Sequence, residues 1–421
     1  MLAKRTRKSM PKVRSGCATC KFSDPTLWTE LVLQRSQHQP VVRNALAALS
    51  FLYRDYIRQG STPLGEDPTH LQVIAKSHRQ LRAYLLSSRD VSPEPALICS
   101  LIFYILECLV GNAQQAIWHL DQGLMLLERC RTEYPGIAAG PDSIYKHLTA
   151  VYARLDIHAS GFDNERIPIL KLASPAQVAG LGSVVPDSFD SLSQADDALT
   201  ILQNWMVHHL VALLIHRRQS EGASIPPDLA LETLRLEHQF LQFVGATAKL
   251  ASTANVKSDT IMQQRIALLQ IQAQTFHAIF VERAKVPEYE TDQLIDESSF
   301  QFDIALSNVS ALYSNWRTDE SSSRGFTLST NIIATLYYIC MKTKHRPTLQ
   351  TALSLLQDSP FSARDGLWDA KTAASVVQGV MPKQEAEEVK LEDVGSDVVN
   401  ASGGLDGVFQ ALQIREHYDM A

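Results

Sequence analysis

At 421 residues with 45% hydrophobic content, the chain is long enough to bury a large core as one extended domain or two. The formal net charge is −6, but the first 21 residues carry +7 and no acid, which leaves −13 on residues 22–421. A basic arm on an acidic body points to a polyanion or an import receptor as the arm's contact and argues against phosphate binding by the body. Six cysteines, four of them isolated in apolar surroundings, exclude a disulfide framework and suggest a reducing compartment.

The arm, residues 1–21, has no apolar run after its cations, so it does not read as a secretory signal; Lys4, Arg5, Arg7, Lys8, Lys12, Arg14 and Lys21 suit nuclear import or phosphate contact, with import preferred. From Val41 to Ile57 apolar residues recur in pairs at helical spacing, and the same pattern returns over 71–86, 95–110, 114–130 and 144–158. Gly60, Pro63, Gly65, Pro93, Gly111, Pro135 and Gly136 punctuate these helices. Ala96 to Val110 is the most apolar stretch, yet Ser100 and Glu107 interrupt it and it is shorter than the roughly 20 residues of a membrane span, which predicts a buried helix and no membrane contact.

Pro168, Pro175, Gly180, Gly182 and Pro186 mark a long internal loop near 160–190. Helical periodicity resumes over 193–220, 227–250, 259–285, 292–316, 328–344, 348–356 and 365–380, with no strand-like alternation. The expected fold is therefore all-α, built from antiparallel helix pairs across residues 22–381. Residues 382–421 are acidic and poor in large apolar side chains, as expected of a mostly disordered tail. The five tryptophans, Trp28, Trp118, Trp205, Trp316 and Trp368, are expected to pack in the core or between helices.

The sharpest local signal is Arg14-Ser15-Gly16-Cys17-Ala18-Thr19-Cys20-Lys21. Two cysteines three positions apart can face one metal ion across a tight turn, and zinc favours such thiolates. Spacing alone leaves an inert dithiol and a metal half-site on equal terms. A redox pair would need a βαβ setting, which the pattern lacks. His70 and His78, eight positions apart, do not have the spacing of zinc-finger histidines. His208 and His209 are adjacent on a helix, where side chains diverge, so they cannot share a metal.

The wording around Cys17 and Cys20 closely resembles the opening of the six-cysteine binuclear zinc cluster of fungal transcription regulators. The body resembles the same family in Phe22 to Gln34 with Pro40 to Ala45, Ala116 to Leu124, Ala153 to Ala159 and Arg364 to Ala370, in that order along the chain. The resemblance implies zinc, DNA as a partner, dimer contacts or contacts with other transcription regulators, a nuclear location and a helical regulatory region. It stops within the zinc module at Lys21, where the family continues with a basic helix and four more cysteines. Each zinc needs about four ligands, so Cys17 and Cys20 cannot form the binuclear cluster, and Cys99, Cys108, Cys130 and Cys340 lie in predicted helices. DNA contact by the arm is then expected to be weak and blind to sequence. The direct passage from Lys21 to Phe22 is what a deletion, a splice form or a misread gene would leave.

No Gly-x4-Gly-Lys loop, His-Glu-x2-His or Gly-x-Ser-x-Gly motif occurs, and Gly180-Leu181-Gly182 sits in a Pro-rich loop. An enzyme is not expected. The two readings are a nuclear regulator of RNA polymerase II transcription with an incomplete DNA module, and a helical interaction protein that competes with full-length relatives for partners without binding DNA.

Overall fold

The architecture comes from a computed structural model that describes residues 26–59, 68–87, 92–133, 144–163, 166–173, 183–219, 224–257, 259–284, 293–317, 326–343, 345–357 and 364–380. The basic arm and the acidic tail lie outside the described residues. The body is all-α, as the periodicity requires. A π-helical turn, Leu27–Leu31, leads into α1 (Val32–His38) and α2 (Pro40–Gln59); α3 (Pro68–Leu86), α4 (Pro93–Val110), α5 (Ala113–Glu133) and α6 (Ile144–Phe162) complete the first half. Beyond the internal loop come α7 (Leu192–Gln219), α8 (Pro227–Ala251), the single turn α9 (Ala254–Lys257), α10 (Thr260–Ala284) and α11 (Gln293–Arg317). The chain closes with β1 (Phe326–Thr327), α12 (Ile332–Lys342), α13 (Arg346–Gln357), β2 (Arg364–Asp365), β3 (Trp368–Asp369) and α14 over residues 370–380.

The first core forms around α4. Ser92 holds an extended N-cap, and Pro93 and Pro95 occupy the first turn, where their missing N–H groups leave no bond unmade. From Pro95 to Leu109 every residue is buried. By length and composition α4 and the stretch Leu192–Arg217 could each cross a membrane, but 83% of α4 is buried within the body, where α2, α5 and α6 cover it. Gly111 ends the helix with φ +94°, a left-handed C-cap that other residues adopt only at a cost. Asn112 then accepts the Gln115 N–H at 3.1 Å through Oδ1, so α5 starts at once and folds back along α4.

Two further cores share α10. Ile266, Leu269, Ala273 and Phe280 pack with Leu202, Phe240 and Phe243 of α7 and α8. On its other side Leu268, Ile271 and Ala278 pack with Val309, Leu336, Ala352 and Val377 of α11 to α14. Burial on two sides explains why α10 lacks the single apolar stripe of a surface helix.

Short strands tie the last core to the first. β2 pairs parallel with β1 and antiparallel with β3. Phe326, Leu328 and Leu367 belong to the first core, while Ile332 and Ala370, a few residues on, belong to the third. Gly366, at φ +58°, makes the hairpin turn and donates to the Thr327 carbonyl at 2.8 Å; a Cβ there would lie 3.1 Å from the Leu328 oxygen.

These strands correct the expectation of helix from 328 and from 365: α12 begins at Ile332 and the last helix at 370. Asp365 takes the intervening backbone out of helix. Its buried carboxylate accepts from Thr327 Oγ1 and Thr330 Oγ1, each at 2.8 Å, and from the Thr330 N–H at 3.1 Å. The internal loop is present as expected, but its described parts are anchored, with Leu170, Val185 and Phe189 buried.

Candidate functional site

Cys17, Cys20 and the seven arm cations lie outside the described residues. The other four cysteines, Cys99, Cys108, Cys130 and Cys340, are buried and unbridged on α4, α5 and α12. Burial pushes the thiols of Cys99, Cys108 and Cys340 up to about 12 and also raises Cys130, so each is held as the thiol and not as the thiolate that zinc takes.

Two of the four body segments named above, 116–124 and 153–159, meet at one ion-pair network. Asp121 of α5 and Asp156 of α6 are bridged by Arg166, whose guanidinium lies 2.6 Å from Asp121 Oδ1 and 2.6 Å from Asp156 Oδ1. Arg166 also donates to the Asp156 carbonyl at 2.8 Å and to Ser160 Oγ at 2.7 Å. Asp156 is fully buried, and its second oxygen accepts the Leu170 N–H at 2.8 Å. Burial raises its pKa while Arg166 and the Leu170 N–H oppose the rise. Asn331, left-handed at φ +58°, donates through Nδ2 to His158 Nε2 at 2.9 Å. Trp368 meets Phe162 edge-on with ring centres 5.3 Å apart. Arg364 donates to the Cys108 carbonyl at 3.0 Å, placing its positive charge at the C-terminal end of α4, the favourable end of the helix dipole.

A second cluster joins α3, α4 and α5. His78 of α3, Glu107 of α4 and His119 of α5 each offer one ligand atom, and these atoms lie within 4.8 Å of one another. Glu107 and His119 are each 8% exposed and His78 is half-buried. Nε2 of His78 and Nε2 of His119 are both buried without a hydrogen-bond partner. Phe103 packs edge-on against His78 at 4.2 Å, and the exposed Trp118 lies edge-on to His119 at 4.9 Å. Burial raises the Glu107 pKa and lowers that of His78. It takes His119 down to about 4, with His78 adding to the shift. Two imidazoles held neutral by burial and one carboxyl group are ligands competent for a divalent ion.

The His119 shift has a definite sign. An unfolded imidazole protonates near 6.5, so His119 contributes stability that is fully present above that pH and declines as the pH falls towards 4. Selective carbon-13 NMR of the metal-free chain is expected to show no titration step for His119 between pH 8 and 5.5; a step near 6.5 would contradict its burial.

Sequence reasoning named His78 only to exclude a finger pairing with His70, and His70 indeed turns elsewhere, with Nε2 3.2 Å from Asp55 Oδ2. Glu107 stands out in the sequence as an acid that interrupts the apolar stretch Ala96 to Val110, and that lone acid is the available signal. His208 and His209 diverge as expected: His208 Nε2 meets the Leu170 carbonyl at 3.1 Å and His209 Nε2 meets Thr233 Oγ1 at 2.9 Å. Trp28 is buried, Trp205 donates to Glu232 at 2.6 Å and Trp368 packs between helices, but Trp118 is 53% exposed and departs from the packing expected of it. The Trp316 side chain lies outside the described residues. A small cleft of about 30 Å³ is lined by Arg154, Asp196, Arg265, Gln272 and Thr330, and Asp196 already neutralises Arg154.

No protein-family model matches the chain, no curated protein matches it, and no solved structure matches its fold.

Proposed function

We propose that the chain is the helical regulatory body of a nuclear regulator of RNA polymerase II transcription, similar to fungal zinc-cluster regulators, with a DNA module reduced to Cys17, Cys20 and the basic arm. One observation carries this reading. Every body segment that resembles the family places residues in the same first core: Leu27 and Val41, Leu120 and Leu124, Leu155 and Ala159, and Leu367. Segments up to 340 positions apart in sequence thus contribute to one packed unit, as parts of a shared regulatory region would.

In this reading the body supplies contacts to other regulators or to a second copy, and the arm supplies nuclear import and weak phosphate contact. The second reading, an interaction protein that does not bind DNA, is favoured by the burial of all four remaining cysteines, which leaves Cys17 and Cys20 without partners for a cluster.

Titration of labelled duplex DNA at 50 and 200 mM salt tests the DNA part. Weak binding without sequence preference is expected, with affinity falling by about 10³- to 10⁴-fold at the higher salt if six or seven arm cations each neutralise a phosphate. Sequence preference accompanied by two zinc ions per chain would overturn the claim that the cluster is incomplete. No binding at either salt would favour the interaction protein.

A further inference from the structure

We infer that His78, Glu107 and His119 form a zinc site, independent of Cys17 and Cys20, that fastens α3 to the α4–α5 hairpin. The case begins with the unpaired groups. A buried polar atom without a partner costs free energy, and folded proteins rarely keep several in one place without a use for them. Here two imidazole nitrogens and a carboxylate converge from three different helices. Both Nε2 atoms lack a hydrogen-bond partner, Glu107 and His119 are more than nine-tenths buried, and Glu107 has no lysine or arginine paired with it among the described residues.

Alternative explanations for the convergence are weaker. The side chains do not complete one another's hydrogen bonds, because both Nε2 atoms remain unmatched. Nor are they there only to fill space, since Phe103 packs against both imidazoles and a purely apolar side chain would serve that contact without a polar atom to satisfy.

The donor set decides the ion. Two imidazoles and one carboxylate suit zinc, and three protein ligands leave one position of a tetrahedron for water or a small ligand. Zinc bonds of about 2.0–2.1 Å place donor atoms roughly 3.4 Å apart, so ligand atoms within 4.8 Å close on the ion by side-chain rotation. The helices also have a use for it. α4 and α5 are joined by the tight turn at Gly111 and Asn112, whereas α3 reaches α4 across the segment 88–91, which lies outside the described residues. An ion held by one residue from each helix would fix their relative position, and its binding energy would add to the stability of the fold.

The test uses the full chain carrying Cys17→Ser and Cys20→Ser, stripped with a chelator and reloaded with zinc, and then with cobalt(II) as a spectroscopic probe. One zinc per chain is expected, with a higher melting temperature than the stripped protein. Cobalt should give weak visible bands with no thiolate charge-transfer band in the near ultraviolet. Glu107→Gln and His119→Gln, which keep most of the volume, should each lose the metal and the metal-dependent rise in melting temperature while far-ultraviolet circular dichroism stays helical. Should either variant unfold, His78→Gln, altering the half-buried member, gives the same readout. No zinc in the double-serine chain, retention of zinc by the glutamine variants, or a thiolate band from cobalt would each overturn the proposal.

Discussion

Replacing Arg166 by alanine is expected to lower the stability of the body by about 3–5 kcal/mol, the cost of stranding a buried charge. Arg166 is the cation beside Asp156, which no solvent reaches, and its guanidinium spans to Asp121 on the neighbouring helix. Without it Asp156 keeps the Leu170 N–H as an ion-stabilising partner and loses the nearby positive charge that opposes the rise in its pKa. The carboxyl then either stays ionised without a countercharge or takes up a proton, and both outcomes cost stability relative to the native pair. Urea denaturation followed by circular dichroism measures the loss. Asp156→Asn combined with Arg166→Ala removes both charges, so the double variant is expected to recover part of it, with a coupling of about 0.5–3 kcal/mol against the two single variants. A change under about 0.5 kcal/mol for Arg166→Ala would show that the pair contributes little to the fold.

The second large effect is steric. A Cβ at Gly123 would sit 2.2 Å from the Tyr152 hydroxyl oxygen and 2.6 Å from two ring carbons. Tyr152 cannot readily withdraw: it is fully buried, and its hydroxyl donates to the Leu97 carbonyl of α4 at 2.8 Å. Gly123→Ala therefore forces the ring away, combining overpacking of about 1–3 kcal/mol with a lost hydrogen bond of about 1 kcal/mol. The same substitution at Gly245, inside α8, meets nothing within 4 Å. There the gain in helix propensity acts alone, and Gly245→Ala is expected to stabilise by about 0.5–1 kcal/mol. Thermal melts of the two variants should move in opposite directions; a stable Gly123→Ala protein would contradict the close approach of α5 and α6.

Gly123 also illustrates what the sequence made legible. It lies within Ala116 to Leu124, a segment picked out by resemblance, but the reason for a glycine there became visible only when Tyr152 was placed against it. The helices were legible because each buries a face or is buried all round, and their spacing records that. The small sheet was not, because strands of two residues cannot display alternation; Asp365 and its threonine partners hold them, and that pairing joins positions 35 and 38 apart. The His78–Glu107–His119 cluster was hidden for a related reason. Its members stand 29 and 12 positions apart on three helices, and no local spacing announces ligands that helix packing brings together. Trp118 shows the reverse limit: its aromatic character assigned it, with the other tryptophans, to packing, yet it is 53% exposed beside His119.

The arm and the body have separable roles in this account. The proposal assigns import and phosphate contact to Lys4, Arg5, Arg7, Lys8, Lys12, Arg14 and Lys21, and regulation to the helical unit in which the resembling segments share a core. A DNA reader supplied from outside bypasses the incomplete cluster and leaves the body's activity exposed to measurement.

The most direct measurement fuses the full chain to an unrelated DNA-binding module and follows a reporter bearing that module's site. The account predicts that the fusion changes transcription of the reporter by RNA polymerase II, and that Gly123→Ala, by disturbing the first core, abolishes the change. A fusion that is nuclear, folded and bound at the reporter yet leaves transcription as the module alone does would contradict it.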